Sequence, residues 1–428
     1  MSSYIYLTYA VPAMPLAFLG LPLYVYIPNA YAELPSIGVT LAGLVIFGAR
    51  LVDLVTDPLV GQLTDRLRGY VHPRWFIAVG SAIVALAVSQ LFFPDQQTTA
   101  LSLAVAISLC YLGVTLVQIP YMAWGVELAP TLNKQRFLSL LREGSAVLGV
   151  LGALILIAVS ESSVLHSLGI TLLLLLPISI LPLWLVSDGN KRQLSKPSSD
   201  FFLTLFKKLP VNNQLMLKIY FANSLAAGIP ATLFLFYAND VLGLSDSEAG
   251  PFLFIYFFSA LLSLPVWLKL LKVFDEIKVW MSSMVLAALA FIPAVFLSDS
   301  SYLMFYLVCV LTGFTLGIDT AIPAVLQARF AQRQFEIQGT TNAGTSFGVF
   351  GLVSKLALAF ALAVSFVLLG FSDTSFPRHE SLPVLYAVLP ALIKLVAAYL
   401  LFKAAPILRH ASDRQQSSKP PAVGGLHA

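Results

Sequence analysis

Arg50, Asp53 and Asp57 stand at i, i+3 and i+7 inside an otherwise apolar stretch. At about 100° per residue these positions fall within roughly 60° of one another on a helix, so one stripe carries all three charges. An ionised side chain at bilayer depth costs at least about 2.5–3.5 kcal/mol on insertion scales, and such residues normally face a protein interior or a watery cavity. An Arg–Asp pair that merely ties two helices together needs one carboxylate. The second carboxylate makes the stripe acidic and points to a polar pathway through the membrane.

The elements that must carry this stripe follow from composition. The 428 residues are 58% hydrophobic and 11% charged, with a mean hydropathy of +0.86. Soluble domains run near about 25% charged, so the chain reads as a polytopic membrane protein. Apolar segments of about 20 residues or more are long enough to cross. They lie near 5–27, 37–59, 74–93, 99–127, 137–159, 163–186, 216–238, 249–270, 278–297, 301–328, 340–370 and 381–404. Met1–Tyr4 carries no positive charge ahead of the first segment, so no cleavable signal is expected.

Loop charges set the orientation. With both termini in the cytoplasm, the inside loops and tail hold most of the 25 basic residues, among them Arg66, Arg68, Arg74, Lys134, Arg136, Lys191, Arg192, Lys269, Lys272 and Arg333. The outside loops hold Arg378 and otherwise acidic residues such as Glu33, Asp95, Glu161 and Asp299. The bias places both ends inside. A polar break from Asp188 to Gln214 divides the segments six and six. The expected organisation is therefore a first bundle over 1–187, a cytoplasmic linker over 188–214, a second bundle over 215–405 and a disordered tail over 406–428.

The halves repeat. Segment four reads GVTLVQIPYMAW from Gly113 and segment ten reads GFTLGIDTAIPAV from Gly313. Segments five and eleven share a small-residue cadence, Ser145-x3-Gly149-x2-Gly152 beside Ser346-x-Gly348-x2-Gly351. Small residues at such spacings let helix backbones approach closely in lipid. Related halves around a central cavity are the plan of secondary transporters.

These features resemble a known family. Gly61-Gln-Leu-Thr-Asp65-Arg66-Leu-Arg-Gly69 is similar to the loop signature of the major facilitator superfamily, with one extra residue before the last glycine. Asp53-x3-Asp57-Pro58-x2-Gly61 resembles helix two of the glycoside–pentoside–hexuronide:cation symporters, the melibiose permease group. Ile119-Pro120-Tyr121 with Trp124, Glu127 and Leu128, the arginines Arg136 and Arg142, and Lys355 match further landmarks in order. The resemblance implies an all-α major facilitator fold of twelve transmembrane helices and a cation-coupled symport by alternating access. It implies that Asp53 and Asp57 bind Na+ or H+, with no other metal and no cofactor. Oxygen ligands suit a small hard cation, and two nearby anions also raise proton affinity. Lys355 would compete with that cation, and Arg50, Gly61, Asp65, Arg66 and Gly69 would form the gating motif.

The departures bear on the solute. The family places sugar-binding aspartates on helices one and four, whereas segment one has no carboxylate and the residue before Ile119 is Gln118. Gln lacks the charge-assisted strength of a carboxylate acceptor. The expected solute-binding residues are Gln118, Trp124, Arg142, Asp319, Lys355 and Asn223. Gln118 and Asp319, each within about one helical turn of the proline that follows it in duplicated segments, are expected to face one another across the cavity. The partner of Asp319 stays open between Arg142, Lys355 and the solute, and Lys394 is assigned no role. A sugar, an anionic solute and an amphipathic one all remain open. The alternative readings are a proton-driven exporter of amphiphiles or lipids and, less favoured, a non-transporting receptor.

No enzymatic constellation is evident: Cys110 and Cys309 lie in separate apolar segments, and the histidines sit at segment edges or in the tail. No phosphate-binding Gly-rich Lys-Ser/Thr loop is present, so ATP does not drive the cycle directly. The expected partners are a small organic solute, the coupling cation and the lipid bilayer, with no nucleic acid, and the chain is expected to be a monomer in a bacterial inner membrane.

Overall fold

The computed structural model describes residues 3–95, 98–160, 163–186, 209–299, 301–338, 342–375 and 378–413. They are helical, with no strand among the described residues. Segment one is broken by its prolines into α1 (Ser3–Ala10), α2 (Ala13–Leu21), a π-helical turn at Pro22–Tyr26, and α3 (Ile27–Ala32). A proline removes a backbone donor and crowds the preceding turn, which accounts for a break at Pro12 and a widened turn from Pro22. The rest of the first bundle is α4 (Gly38–Leu67), α5 (Pro73–Leu91), α6 (Ala100–Leu128), α7 (Leu132–Val159) and α8 (Val164–Ile180). The second bundle is α9 (Val211–Asp240), α10 (Asp246–Val273), α11 (Glu276–Phe291), α12 (Tyr302–Gln338), α13 (Ala343–Ser375), α14 (Arg378–Pro383) and α15 (Leu389–Asp413).

Among the described residues, eleven helices are long and apolar enough to span a bilayer. The twelfth is α4. Its 30 residues suffice for a crossing, and the three charges Arg50, Asp53 and Asp57 are what set it apart from the other eleven. At 1.5 Å per residue α4 is longer than the hydrocarbon core, so its end, Asp65 included, projects beyond the apolar span of 37–59.

Two boundaries differ from the sequence reading. The second bundle begins at Val211, where Pro210 occupies the N-cap in an extended conformation, and α15 continues past Pro406 to Asp413. Residues 187–208 and 414–428, which hold most of the linker and tail, lie outside the described residues.

Within each bundle, glycines set the closest contacts. Gly80 of α5 and Gly113 of α6 face each other so closely that a Cβ on Gly80 would stand 2.8 Å from the Gly113 carbonyl oxygen. Between the bundles α4 packs on α13 and α7 packs on α10 and α12. Segments two and eleven, and five and eight, thus form equivalent seams, as the internal repeat requires. The cadence read in segment eleven has a physical cause here: a Cβ on Gly348 would meet the Asp57 carbonyl at 2.7 Å, and one on Gly351 would meet Asp57 Oδ2 at 2.6 Å.

The bundles are locked together at the end where the basic residues gather. Asp65 on α4 accepts main-chain N–H bonds from Gly344 at 2.8 Å and Thr345 at 2.7 Å, at the start of α13. A carboxylate there meets the positive end of the helix dipole. Arg136 on α7 pairs with Glu276 on α11 and donates to the Leu271 carbonyl at 2.8 Å, and Arg329 on α12 pairs with the same Glu276. Gln135 donates to Gln332 at 2.6 Å, and Gln332 donates to the Pro130 carbonyl at 2.9 Å. By the charge bias this is the cytoplasmic side, so the cytoplasmic entrance is closed.

Candidate cation and solute site

The charged stripe of α4 meets the opposite bundle at α13. Asp53 and Asp57 are buried, and each accepts a bond from the Lys355 ammonium of α13, both at 2.7 Å. Thr115 of α6 donates to Asp57 at 2.9 Å, lies 3.2 Å from Asp53 Oδ1, and stands 3.3 Å from Lys355 Nζ. The site therefore draws on three helices from two bundles. Lys355 retains 24% side-chain exposure and is the most open member of an otherwise buried cluster. Two carboxylates against one ammonium leave a formal charge of −1. One small monovalent cation or one proton balances that deficit, and oxygen donors are the ligands such a cation prefers. Thr115 was not singled out from sequence, although it lies in the repeated Gly-x-Thr-Leu motif.

The remaining residues of the expected gating motif are placed as follows. Gly61 packs against the backbone of Gly344, and Asp65 closes the cytoplasmic end as described. Burial lifts the Asp65 carboxyl to about 6, against the hydrogen bonds from Thr345 and Gly344 that pull it down. Arg66 is exposed and Gly69 lies in the turn after α4. Arg50 directs Nε to the Tyr111 hydroxyl at 3.5 Å, on α6.

The solute residues divide. Gln118 is exposed one turn beyond Thr115 on α6. Arg142 is partly exposed and pairs with Glu143 at 2.9 Å, and Glu143 accepts from Thr320 across the seam at 3.1 Å. Near them Tyr9 and Tyr121 stack at 4.4 Å between centroids, and each hydroxyl donates to the other's carbonyl.

Trp124 corrects an expectation. It is fully buried, edge-on to Tyr9 and His72, with the Arg74 guanidinium 5.7 Å from its ring centre. It packs the closed end of the first bundle and offers no face to a solute.

Asp319 and Asn223 correct another. The partner of Asp319 is Lys394 of α15 at 2.6 Å, a residue given no role from sequence. Lys394 also donates to Asn223 of α9 at 3.0 Å, and Ser283 of α11 donates to the second Asp319 oxygen. Lys394 and Asp319 are 3% and 7% exposed, and every partner in this cluster comes from the second bundle. The repeat explains the error. With Gly113 aligned to Gly313, Asp319 corresponds to Ile119 and not to Gln118, and one residue turns a side chain about 100° around the helix.

Comparisons with known proteins agree with this architecture. No curated protein sequence matches the chain. Among solved structures it is similar to a bacterial homologue of the iron transporter ferroportin in an outward-facing state, with a TM-score of 0.71 at 14% identity over 94% of this chain and 99% of that one. It is similar to the E. coli fucose:proton symporter FucP, with a TM-score of 0.60 at 14% identity over 94% and 99%. It is also similar to the human organic anion transporter TETRAN, with a TM-score of 0.63 at 14% identity over 94% and 97%. At these identities the likeness carries the fold alone. A family model described as MFS/sugar transport protein matches residues 8–407, nearly the whole chain, and the chain belongs to that family of membrane transporters.

Proposed function

We propose that this transporter is a cation-coupled symporter of a small, neutral, polar solute. The observation that carries the reading is the Lys355 ammonium at 2.7 Å from a carboxylate oxygen of both Asp53 and Asp57, across the seam between bundles. A buried charge is tolerated only with a partner, so the carboxylates hold Lys355 while no cation is present. A Na+ or a proton entering the pair competes with the ammonium and loosens a contact that ties α4 to α13. Occupancy thereby biases the arrangement of the bundles by the difference in its affinity for the two states. Protons and Na+ are both compatible with the oxygen set.

The solute reading rests on charge balance. Arg142 has Glu143 and Lys355 has two aspartates, so the cations expected from sequence to favour an anionic solute are internally neutralised. Gln118 and the Arg142–Glu143 pair present both donors and acceptors, which suit hydroxyl groups. The sugar-transport family model supports the same class. Uptake of radiolabelled neutral hexosides and hexuronates into proteoliposomes under imposed Na+ and pH gradients tests the proposal. Accumulation of a hexoside that collapses in Asp53→Asn and Asp57→Asn is the expected result. Accumulation that is indifferent to both gradients and both substitutions would refute it.

A further inference from the structure

A groove lies on the outer surface of the second bundle, on helices other than those that carry the Asp53–Asp57–Lys355 cluster. It runs between α11 and α15, is apolar and measures about 470 Å³. One wall is the α11 stripe Met281, Val285 and Leu289, and the other is the α15 stripe Leu395, Tyr399 and Phe402. Val285, Leu289, Leu395, Tyr399 and Phe402 are all exposed. The α11 wall extends over about 12 Å along the helix axis.

Each wall continues, on its own stripe, into a lysine. Lys278 stands three residues before Met281 on α11, and Lys403 four residues after Tyr399 on α15. The helices are antiparallel, so both lysines lie at the same end of the groove, the cytoplasmic end by the charge bias. Both are exposed. Lys403 holds its ammonium 5.2 Å from the centre of the Tyr399 ring, at the lip of the groove. The two carboxylates just before Lys278 on the chain are already engaged: Asp275 with Arg409 at 3.1 Å, and Glu276 with Arg136 and Arg329. The pair of lysines therefore keeps its positive charge towards the membrane.

We infer that this groove is a binding site for one anionic phospholipid of the cytoplasmic leaflet. The acyl chain lies between the two apolar walls, and the headgroup phosphate sits between Lys278 and Lys403. A concave apolar wall gives a chain contacts on two sides that the flat surface of a helix cannot. Basic residues at the cytoplasmic mouth of an interhelical groove supply the headgroup recognition. A zwitterionic lipid could fill the groove, but its own cation would oppose the lysines. A neighbouring copy of the chain would use the walls and leave the lysines idle.

Native mass spectrometry of the full-length protein, released from mixed phosphatidylglycerol and phosphatidylcholine membranes, tests this. The expected result is one phosphatidylglycerol retained in preference to phosphatidylcholine. Substituting both lysines (Lys278→Gln, Lys403→Gln) should weaken that retention about 30-fold, from about 5-fold per lysine near an anionic surface. Filling the groove with Val285→Trp, which leaves every charge in place, should abolish it. Thermal unfolding of each variant at the wild-type temperature confirms that the fold is intact, since the side chains are exposed. Equal retention of the two lipids, unchanged retention in either variant, or a dimer in place of the lipid adduct would overturn the inference.

Discussion

Replacing Asp57 with Asn leaves an oxygen in the cluster but removes one of its two negative charges. The formal charge of the site then rises from −1 to zero, and Lys355 balances Asp53 alone. Asp57 is the more deeply buried of the two carboxylates, at 2% against 7% exposure, and a Cβ on Gly351 would stand 2.6 Å from its Oδ2. At an effective dielectric of about 20, one charge about 4 Å from a bound monovalent cation contributes about 4 kcal/mol before desolvation is counted. Net contributions of hydrogen bonds to charged groups are nearer 1.5–3 kcal/mol. The lower range predicts cation binding weaker by about 10- to 150-fold in Asp57→Asn. Calorimetric titration of the purified protein in nanodiscs with Na+, repeated at several pH values, reads this directly and needs no solute. Wild-type affinity for both Na+ and protons in Asp57→Asn, with the protein folded, would refute the assignment of the site.

The other predictions concern the second bundle, the cytoplasmic gate and the orientation. Lys394→Met alone should lower stability by about 3–5 kcal/mol, because it strands Asp319 as a buried unpaired charge. The double variant Lys394→Met, Asp319→Asn should recover most of that loss in thermal unfolding, and failure to recover would show that the pair does more than hold the bundle together. The Asp65 carboxyl titrates at about 6 in the closed gate against an ordinary 3.8, so the closed state binds more protons than one in which Asp65 is hydrated. Closure is therefore favoured as pH falls from about 6 towards 4, and the effect saturates below the ordinary carboxylate value. Spin-label distances between the cytoplasmic ends of α4 and α12 should shorten over that window in the wild type and lose this component in Asp65→Asn. A reporter active only in the cytoplasm should work when fused after Lys196 and fail after Ser245; the reverse would invert the orientation.

The central cluster was legible because its information is local. The i, i+3, i+7 spacing of Arg50, Asp53 and Asp57 fixes one helical stripe whatever the neighbours are, and Lys355 followed from the family resemblance. Glycines at 348 and 351 were legible as a close-packing cadence, though not their partner, Asp57. What escaped depended on contacts between segments distant in sequence. Lys394 lies 75 residues from Asp319, and nothing local to either announces the pairing. Asp319 aligns in the repeat with Ile119 and not with Gln118, and a single residue of register turns a side chain about 100° around the helix. Trp124 failed for another reason: an aromatic in an apolar helix serves packing or stacking equally well until its neighbours, Tyr9, His72 and Arg74, are known.

The claim on which coupling rests is that Lys355 and the cation compete for the same two carboxylates. Removing the competitor should make the cation bind more tightly, even though a cross-bundle contact is lost. The direct measurement is the Na+ and proton affinity of Lys355→Gln beside that of the wild type, in the same nanodiscs and buffers. The site then carries a formal charge of −2, and an affinity higher by about 10-fold or more is predicted from one released charged hydrogen bond. An affinity that falls or stays the same for both cations would contradict competition and leave Lys355 as a static brace.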